Sequence, residues 1–373
     1  VLSYLLTYRK SLLIADQKEY IASITGLILN VVSYLAIILL VTWEQNYLLA
    51  LGIGTVTEVV LNIWISWYVE QKYPFLRQRR KEKSTSSLTK RIVRDLKSLF
   101  ISRISEKMLY CTDNLIISGF IGVGTVGRYA NYCMITQAIS NILTILANTI
   151  QPTVGDYFTE KNRQRNYEIL RQLTFGFFCI ASVVSVGLFS LITPFVRDIW
   201  LGPSYELGWG ITVFCIVVLL VRIMGLPLSL VMGVTGLFEK EKNVGASSAL
   251  LNLIVSLALV KPYGMAGVLL GTLLSYLLQI LYRYIIYFRD FLEMPGEALR
   301  YAQDIGEYLA VIAGEVLLMQ KIVPLIYGAG GMLLFCVCFL LCIAIPLLLD
   351  LVIFGRGWRL QSIVTMVKGM RKA

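Results

Sequence analysis

The chain contains no histidine. That absence removes imidazole acid–base catalysis, Ser-His-Asp and Cys-His nucleophile pairs, and histidine metal sites. Cysteine does not take its place: Cys111, Cys133, Cys179, Cys215, Cys336, Cys338 and Cys342 form no C-x-x-C pair, and all fall inside apolar stretches. They read as small packing residues, with no disulfide, metal or cofactor role. There is no G-x-x-x-x-G-K-[ST] loop to cradle ATP phosphates either, so the chain is not itself an ATP-driven pump. Gly122 to Gly127 spells G-x-G-x-x-G, but no soluble strand precedes it and no acidic residue follows at the spacing a dinucleotide site requires. It is expected to be a turn. Charge is scarce as well: 15% of the 373 residues are charged against 57% hydrophobic, and the mean hydropathy is +0.71. Most of such a chain cannot be kept in water.

What is present is a series of ten apolar stretches, at roughly 20–42, 47–70, 98–121, 127–151, 172–196, 209–236, 245–261, 264–288, 305–323 and 331–354. Each is near the length of about 20 residues that carries a helix across ~30 Å of hydrocarbon. Basic residues alternate between the connections. Assigned to the nearer span end, 27 of the 34 gather before the first stretch, in every second connection and in the tail. Arg128, Arg197, Lys261 and Lys321 stand alone on the other side, and Arg103, Lys107 and Arg222 lie inside spans. Retained Lys and Arg mark the cytoplasmic side. The chain is therefore read as an all-α, multi-pass membrane bundle with both visible ends in the cytoplasm. Its net charge of +11 is topology, not a nucleic-acid footprint.

The connection 71–97 is the longest and most polar, with ten basic residues and a Ser/Thr-rich centre, and is the natural boundary between lobes. Beyond Phe354, Leu360, Ile363, Val364, Met366, Val367 and Met370 share one helical face opposite Gln361, Ser362, Thr365, Lys368 and Lys372. Two readings stand for this basic tail, a helix lying in the inner interface or an ordinary cytoplasmic end. At the other end the chain begins at Val1 with an apolar run that precedes Arg9 and Lys10, the reverse of a secretory signal. The expectation is a start inside an element, with the amino terminus truncated.

Span 98–121 carries Arg103, Glu106, Lys107 and Asp113 among ten Leu, Ile and Phe residues. Facing lipid, such charges would cost roughly 10–14 kcal/mol against about 3–6 kcal/mol returned by the apolar residues. With Tyr110 they fall on one helical stripe, so they face protein or water. Arg103 also has the option of snorkelling to the inner interface. For Glu106, Lys107 and Asp113 the alternatives are an intramembrane ion-pair network and the lining of a polar cavity, and the cavity is favoured. The next span repeats the stripe without charge, in Gln137, Ser140, Asn141, Thr144, Asn148 and Gln151. These groups are either interhelical glue or the wall of an aqueous path suited to a hydroxyl-rich substrate. Arg222 precedes Gly225 and Pro227 within span 209–236. It reads as an anion-binding or hinge position beside a helix break, or else as a buried partner of Glu58 or Glu315.

The segments Tyr8-Arg9-Lys10-Ser11-Leu12-Leu13-Ile14-Ala15-Asp16-Gln17, Thr112-Asp113-Asn114-Leu115-Ile116-Ile117-Ser118 and Gly127-Arg128-Tyr129-Ala130-Asn131-Tyr132 resemble the Wzx-type polysaccharide repeat-unit flippases. These belong to the MOP superfamily with MATE exporters and MurJ-type lipid II flippases. The resemblance implies a two-lobe bundle of about fourteen helices, of which the ten visible spans look like the fifth to the fourteenth. Residues 1–70 would then be a remnant of the amino-terminal lobe, 71–97 a basic linker, 98–288 a six-helix carboxy-terminal lobe, 289–354 two additional helices and 355–373 the tail. It implies a transporter, not an enzyme. The family moves undecaprenyl-diphosphate-linked oligosaccharide across the bacterial plasma membrane by alternating access, with no cofactor and with glycan polymerases as potential partners. By that analogy Arg103, Lys107 and Arg222 engage the diphosphate, Gln137, Asn141 and Asn148 the sugars, and Glu106, Asp113 and Glu58 couple an ion. The rival readings are a MATE-like small-molecule exporter and a non-transporting scaffold of a glycan-assembly complex.

Overall fold

The computed structural model describes residues 9, 12–13, 16, 18–43, 47–74, 111–158, 162–328 and 330–355. Among them there is no strand, and each of the ten apolar stretches contributes a helix. We number these α1 (Glu19–Trp43), α2 (Tyr47–Lys72), α3 (111–120), α4 (Val123–Tyr157), α5 (Arg163–Pro194) and α6 (Trp209–Val234), then α7 (Phe238–Tyr263), α8 (Met265–Ile285), α9 (Pro295–Tyr327) and α10 (Met332–Phe354). Helix is the natural state of such sequences, because in hydrocarbon every backbone N–H and C=O needs an internal partner. Nine of the helices are long and apolar enough to cross a membrane, counting only the described residues.

The chain divides into two compact units, 1–89 and 90–373, the division falling inside the basic connection 71–97. In the first unit α1 packs on α2. The Tyr8-to-Gln17 motif supplies ties at one end of the pair: Arg9 donates to Ser66 at 2.5 Å and pairs with Glu70 at 2.6 Å, and Tyr73 donates to Asp16 at 2.5 Å. Lys18 and then Tyr73 hold the Asp16 carboxyl below its usual range.

In the second unit α5 and α6 form the centre. α6 takes α4, α5 and α8 on its faces, α5 carries α9 and α10, and α7 with α8 makes the most extensive helix pair. Several helices outrun their apolar stretches because polar pairs lengthen them. α9 begins ten residues before 305, where Asp304 grips Arg171 of α5 through two hydrogen bonds of 2.6 and 2.9 Å. Close by, Thr174 of α5 and Tyr301 of α9 share a bond of 3.1 Å.

Two expectations change here. The glycine-rich segment is a turn only at its first residue: Gly122 has a positive φ of 128°, and the chain is helical from Val123 onward, so Gly124 and Gly127 belong to α4. Nor does Pro227 break its helix. α6 runs without interruption from Trp209 to Val234, with Pro227 buried inside it. The missing N–H costs one bond, which tight packing on both sides outweighs. A Cβ at Gly225 would lie 2.9 Å from Ile280 of α8, so the small residue lets α8 seat where a break was expected.

Candidate functional site

The site begins with the α7–α8 hairpin, whose facing surfaces are built from small and polar residues one turn apart. α7 offers Ser248, Asn252 and Ser256, all buried. α8 offers Gly267, Gly271 and Ser275, which lets the backbones approach closely. A Cβ at Gly271 would sit 3.1 Å from the Asn252 carbonyl oxygen, and one at Gly267 would collide with the Leu259 carbonyl. Hydroxyls close the seam: Ser275 donates to the Ser248 carbonyl at 2.8 Å, and Ser256 to the Val268 carbonyl at 3.2 Å. This is the small-residue packing that holds membrane helices together without a hydrophobic driving force.

That seam fixes two donors that point at α3. Thr272 of α8 donates to Asp113 at 2.6 Å, and Asn252 of α7 donates to both Asp113, at 3.3 Å, and Thr272, at 2.9 Å. Asp113 is 4% exposed. A buried carboxylate is tolerable when its oxygens are met by donors in this way. The Asn252 side-chain oxygen, buried in the same place, accepts no hydrogen bond. The cluster is therefore rich in oxygen acceptors.

Asp113 lines a cavity of about 60 Å³, together with Asn114, Gln137 of α4, Arg222 of α6, and Thr272 and Tyr276 of α8. Its volume has room for a few waters. Arg222 is half-buried, with its guanidinium 5.4 Å from the centre of the Tyr276 ring. Of the two carboxylates proposed from the sequence as its partner, Glu315 receives the Ser182 hydroxyl at 2.6 Å, and Glu58 is an exposed residue of α2 in the first unit.

Gln137 sits where this cavity meets the open face of α4. At about 100° per residue, Gln137, Asn141, Thr144 and Asn148 fall within some 60° of one another, and all four are exposed. A second open arc carries Ile142, Ile145 and Leu146, exposed by 65, 65 and 40%. The third arc, with Tyr132, Leu143, Ala147 and Val154, is buried. α4 thus has a packed face, an apolar open face and a polar open face. Only the apolar one is compatible with lipid, since amides turned to hydrocarbon would lose their partners.

Of the residues singled out in the sequence, Asp113, Gln137 and Arg222 come together at the cavity. Asn141 and Asn148 lie outside it along the open stripe. Arg103, Glu106 and Lys107 fall outside the described residues, as does the tail from 356. Asn252 and Thr272 were not anticipated. The four-residue spacing of Ser248, Asn252 and Ser256 opposite Gly267, Gly271 and Ser275 was the signal that would have revealed them.

Residues 1–158 match the family of polysaccharide biosynthesis proteins. No curated protein matches the sequence. Among solved structures, the fold is similar to that of the lipid II flippase MurJ in its inward closed conformation, with a TM-score of 0.67, 15% identity, and coverage of 94% of this chain and 71% of that one. At this identity the likeness is one of fold.

Proposed function

We propose, from the match of residues 1–158 to the polysaccharide biosynthesis proteins and the likeness of the fold to that of a lipid II flippase, that this multi-pass membrane protein carries lipid-linked oligosaccharide from the inner to the outer leaflet of the bacterial plasma membrane. The observation that carries this reading is the three-faced surface of α4. Its polar stripe of Gln137, Asn141, Thr144 and Asn148 is open although the helix is a membrane span. Amides and hydroxyls in a row offer donors and acceptors to a hydroxyl-rich glycan without binding any one sugar tightly. Arg222, at the head of that stripe, supplies the positive charge for a diphosphate, and Arg103 and Lys107 are proposed to share this role.

Coupling is assigned to Asp113. Its carboxylate, held by Thr272 and Asn252 beside a cavity large enough for a few waters, can take up and release a proton or another small monovalent cation while α3, α7 and α8 shift against one another. Glu106 and Glu58 are further carboxylates proposed for this task. The chain performs no covalent chemistry in this scheme. Both visible ends are placed in the cytoplasm, where the basic connections lie, and a glycan polymerase is the partner that would receive the flipped product.

The test is surface polysaccharide in cells carrying Arg222→Ala or Asp113→Asn in the chromosomal gene. Both should lose surface polysaccharide and accumulate lipid-linked repeat units inside, at unchanged protein level. Normal polysaccharide in both strains would remove the reading. Accumulation of a small cationic drug instead of a glycolipid would point to a MATE-like exporter.

A further inference from the structure

Away from the Asp113 cavity, α5, α9 and α10 enclose a second pair of acids. Glu315 of α9 and Asp350 of α10 are each 3% exposed, and Ser182 of α5 is fully buried between them. The pair is close enough to interact electrostatically, and Ser182 lies beside both. Ser182 has one hydroxyl proton, and it goes to Glu315 Oε2 at 2.6 Å. That leaves Glu315 Oε1 and both oxygens of Asp350 without a hydrogen bond. Among the described residues no Lys or Arg pairs with either acid. The other ionisable group facing them is Cys179 of α5, which carries no positive charge.

On one side the enclosure is sealed by aromatic rings. Phe178 stacks on Tyr308 with centroids 4.5 Å apart, and Phe354 meets both edge-on at 5.5 and 5.7 Å. In helical register these rings stand between the acid pair and the Arg171–Asp304 bridge, whose charges are already committed to each other. The nearest guanidinium on these helices is thus spoken for. Two ionised carboxylates facing one another in a dry interior, with one donor between them, are electrostatically untenable. The acids are built to be neutralised by something small enough to enter among three helices.

We propose that Ser182, Glu315 and Asp350 form a binding site for a monovalent cation, H⁺ or Na⁺, at the junction of α5, α9 and α10. A proton would bridge Glu315 Oε1 and Asp350. A sodium ion would take those oxygens and the Ser182 hydroxyl oxygen as ligands. In either case the cation ties α9 and α10 to α5, so its arrival and departure tighten and loosen the seating of the last two helices. The site shares no residue with the Asp113 cluster, and its existence does not depend on what the protein transports.

Dicyclohexylcarbodiimide converts a protonated carboxyl in an apolar setting to a stable acylurea that mass spectrometry locates by residue. Applied to the purified chain in detergent, it should label Glu315 or Asp350 in mildly acidic buffer and lose that labelling in alkaline buffer. If the physiological ligand is Na⁺, added NaCl but not choline chloride should protect. A second measurement follows the thermal midpoint of the chain and of Glu315→Gln and Asp350→Asn, which keep shape while removing charge. The unsubstituted chain should show a midpoint that shifts with pH, or with Na⁺ at fixed pH, and either substitution should reduce that shift by half or more. The proposal is overturned if neither acid is labelled at any pH and the substituted chains respond to pH and Na⁺ as the unsubstituted chain does. Loss of transport in cells with these responses intact would bear on the transport reading alone.

Discussion

Asp113 and Asp350 are equally buried, at 4 and 3% exposure, and each lies in a membrane helix among apolar neighbours. They differ in what surrounds their oxygens. Asp113 is met by Thr272 and Asn252, donors on a hairpin whose small residues bring two backbones together. Asp350 is met by none, and the Ser182 hydroxyl proton serves Glu315. The first arrangement gives the carboxylate donors of its own, among which it can still exchange a small cation. The second gives none, and the cation proposed there would be its sole partner. Burial alone therefore says little about a carboxylate; the donor count around it decides how far its charge is met by the fold itself.

Substitutions can break this contrast or sharpen it. The largest effect should come from Gly267→Val, because even the first added carbon collides with the Leu259 backbone. Separating α7 from α8 removes the platform under Asp113, and the chain should fail to accumulate in the membrane or melt with a loss of ~3 kcal/mol or more. Next is Arg171→Ala, which strands the buried Asp304. A loss of about 3 kcal/mol is expected for a bidentate pair of this kind, read as a lowered midpoint in detergent. Asp113→Leu should cost about 2 kcal/mol, since Thr272 and Asn252 would lose their buried acceptor. Thr272→Val removes a donor to Asp113 and an acceptor of Asn252 but keeps the carboxylate, and about 1 kcal/mol should be lost. The smallest change belongs to Asp350→Leu. An acid without donors contributes little to stability, so the midpoint should stay within about 0.5 kcal/mol of the starting value or rise. A loss at Asp350→Leu matching that at Asp113→Leu would erase the distinction.

The spans were readable in the sequence because lipid imposes a single long period of apolar residues, and the ten stretches each became a helix. Their ends were less readable. α9 starts ten residues early because Asp304 and Tyr301 find partners on α5, 133 and 127 residues away in sequence, and no local pattern encodes that. Asp113, Gln137 and Arg222 stood out as polar groups in apolar spans, and all three reach one cavity. Asn252 and Thr272 did not, since a lone amide or hydroxyl in a span is common and its importance depends on which helix lies opposite. The course of the helix at Pro227 was not readable for a related reason: α6 continues through the proline instead of breaking, and Gly225 admits Ile280 of α8 beside it. Glu315 was readable as a buried acid but not as one half of a pair with Asp350, which only the docking of α9 and α10 on α5 brings about.

The most direct measurement of the transport reading is lipid binding to the purified chain by native mass spectrometry, comparing a lipid diphosphate with a neutral glycolipid of the same chain length. The unsubstituted chain should retain the diphosphate preferentially. Arg222→Ala should weaken that binding about tenfold, the scale of one lost charge-assisted contact, and leave the neutral lipid unaffected. Equal retention of both lipids, or diphosphate binding indifferent to Arg222, would contradict the assignment of this cavity to a lipid-linked anionic substrate.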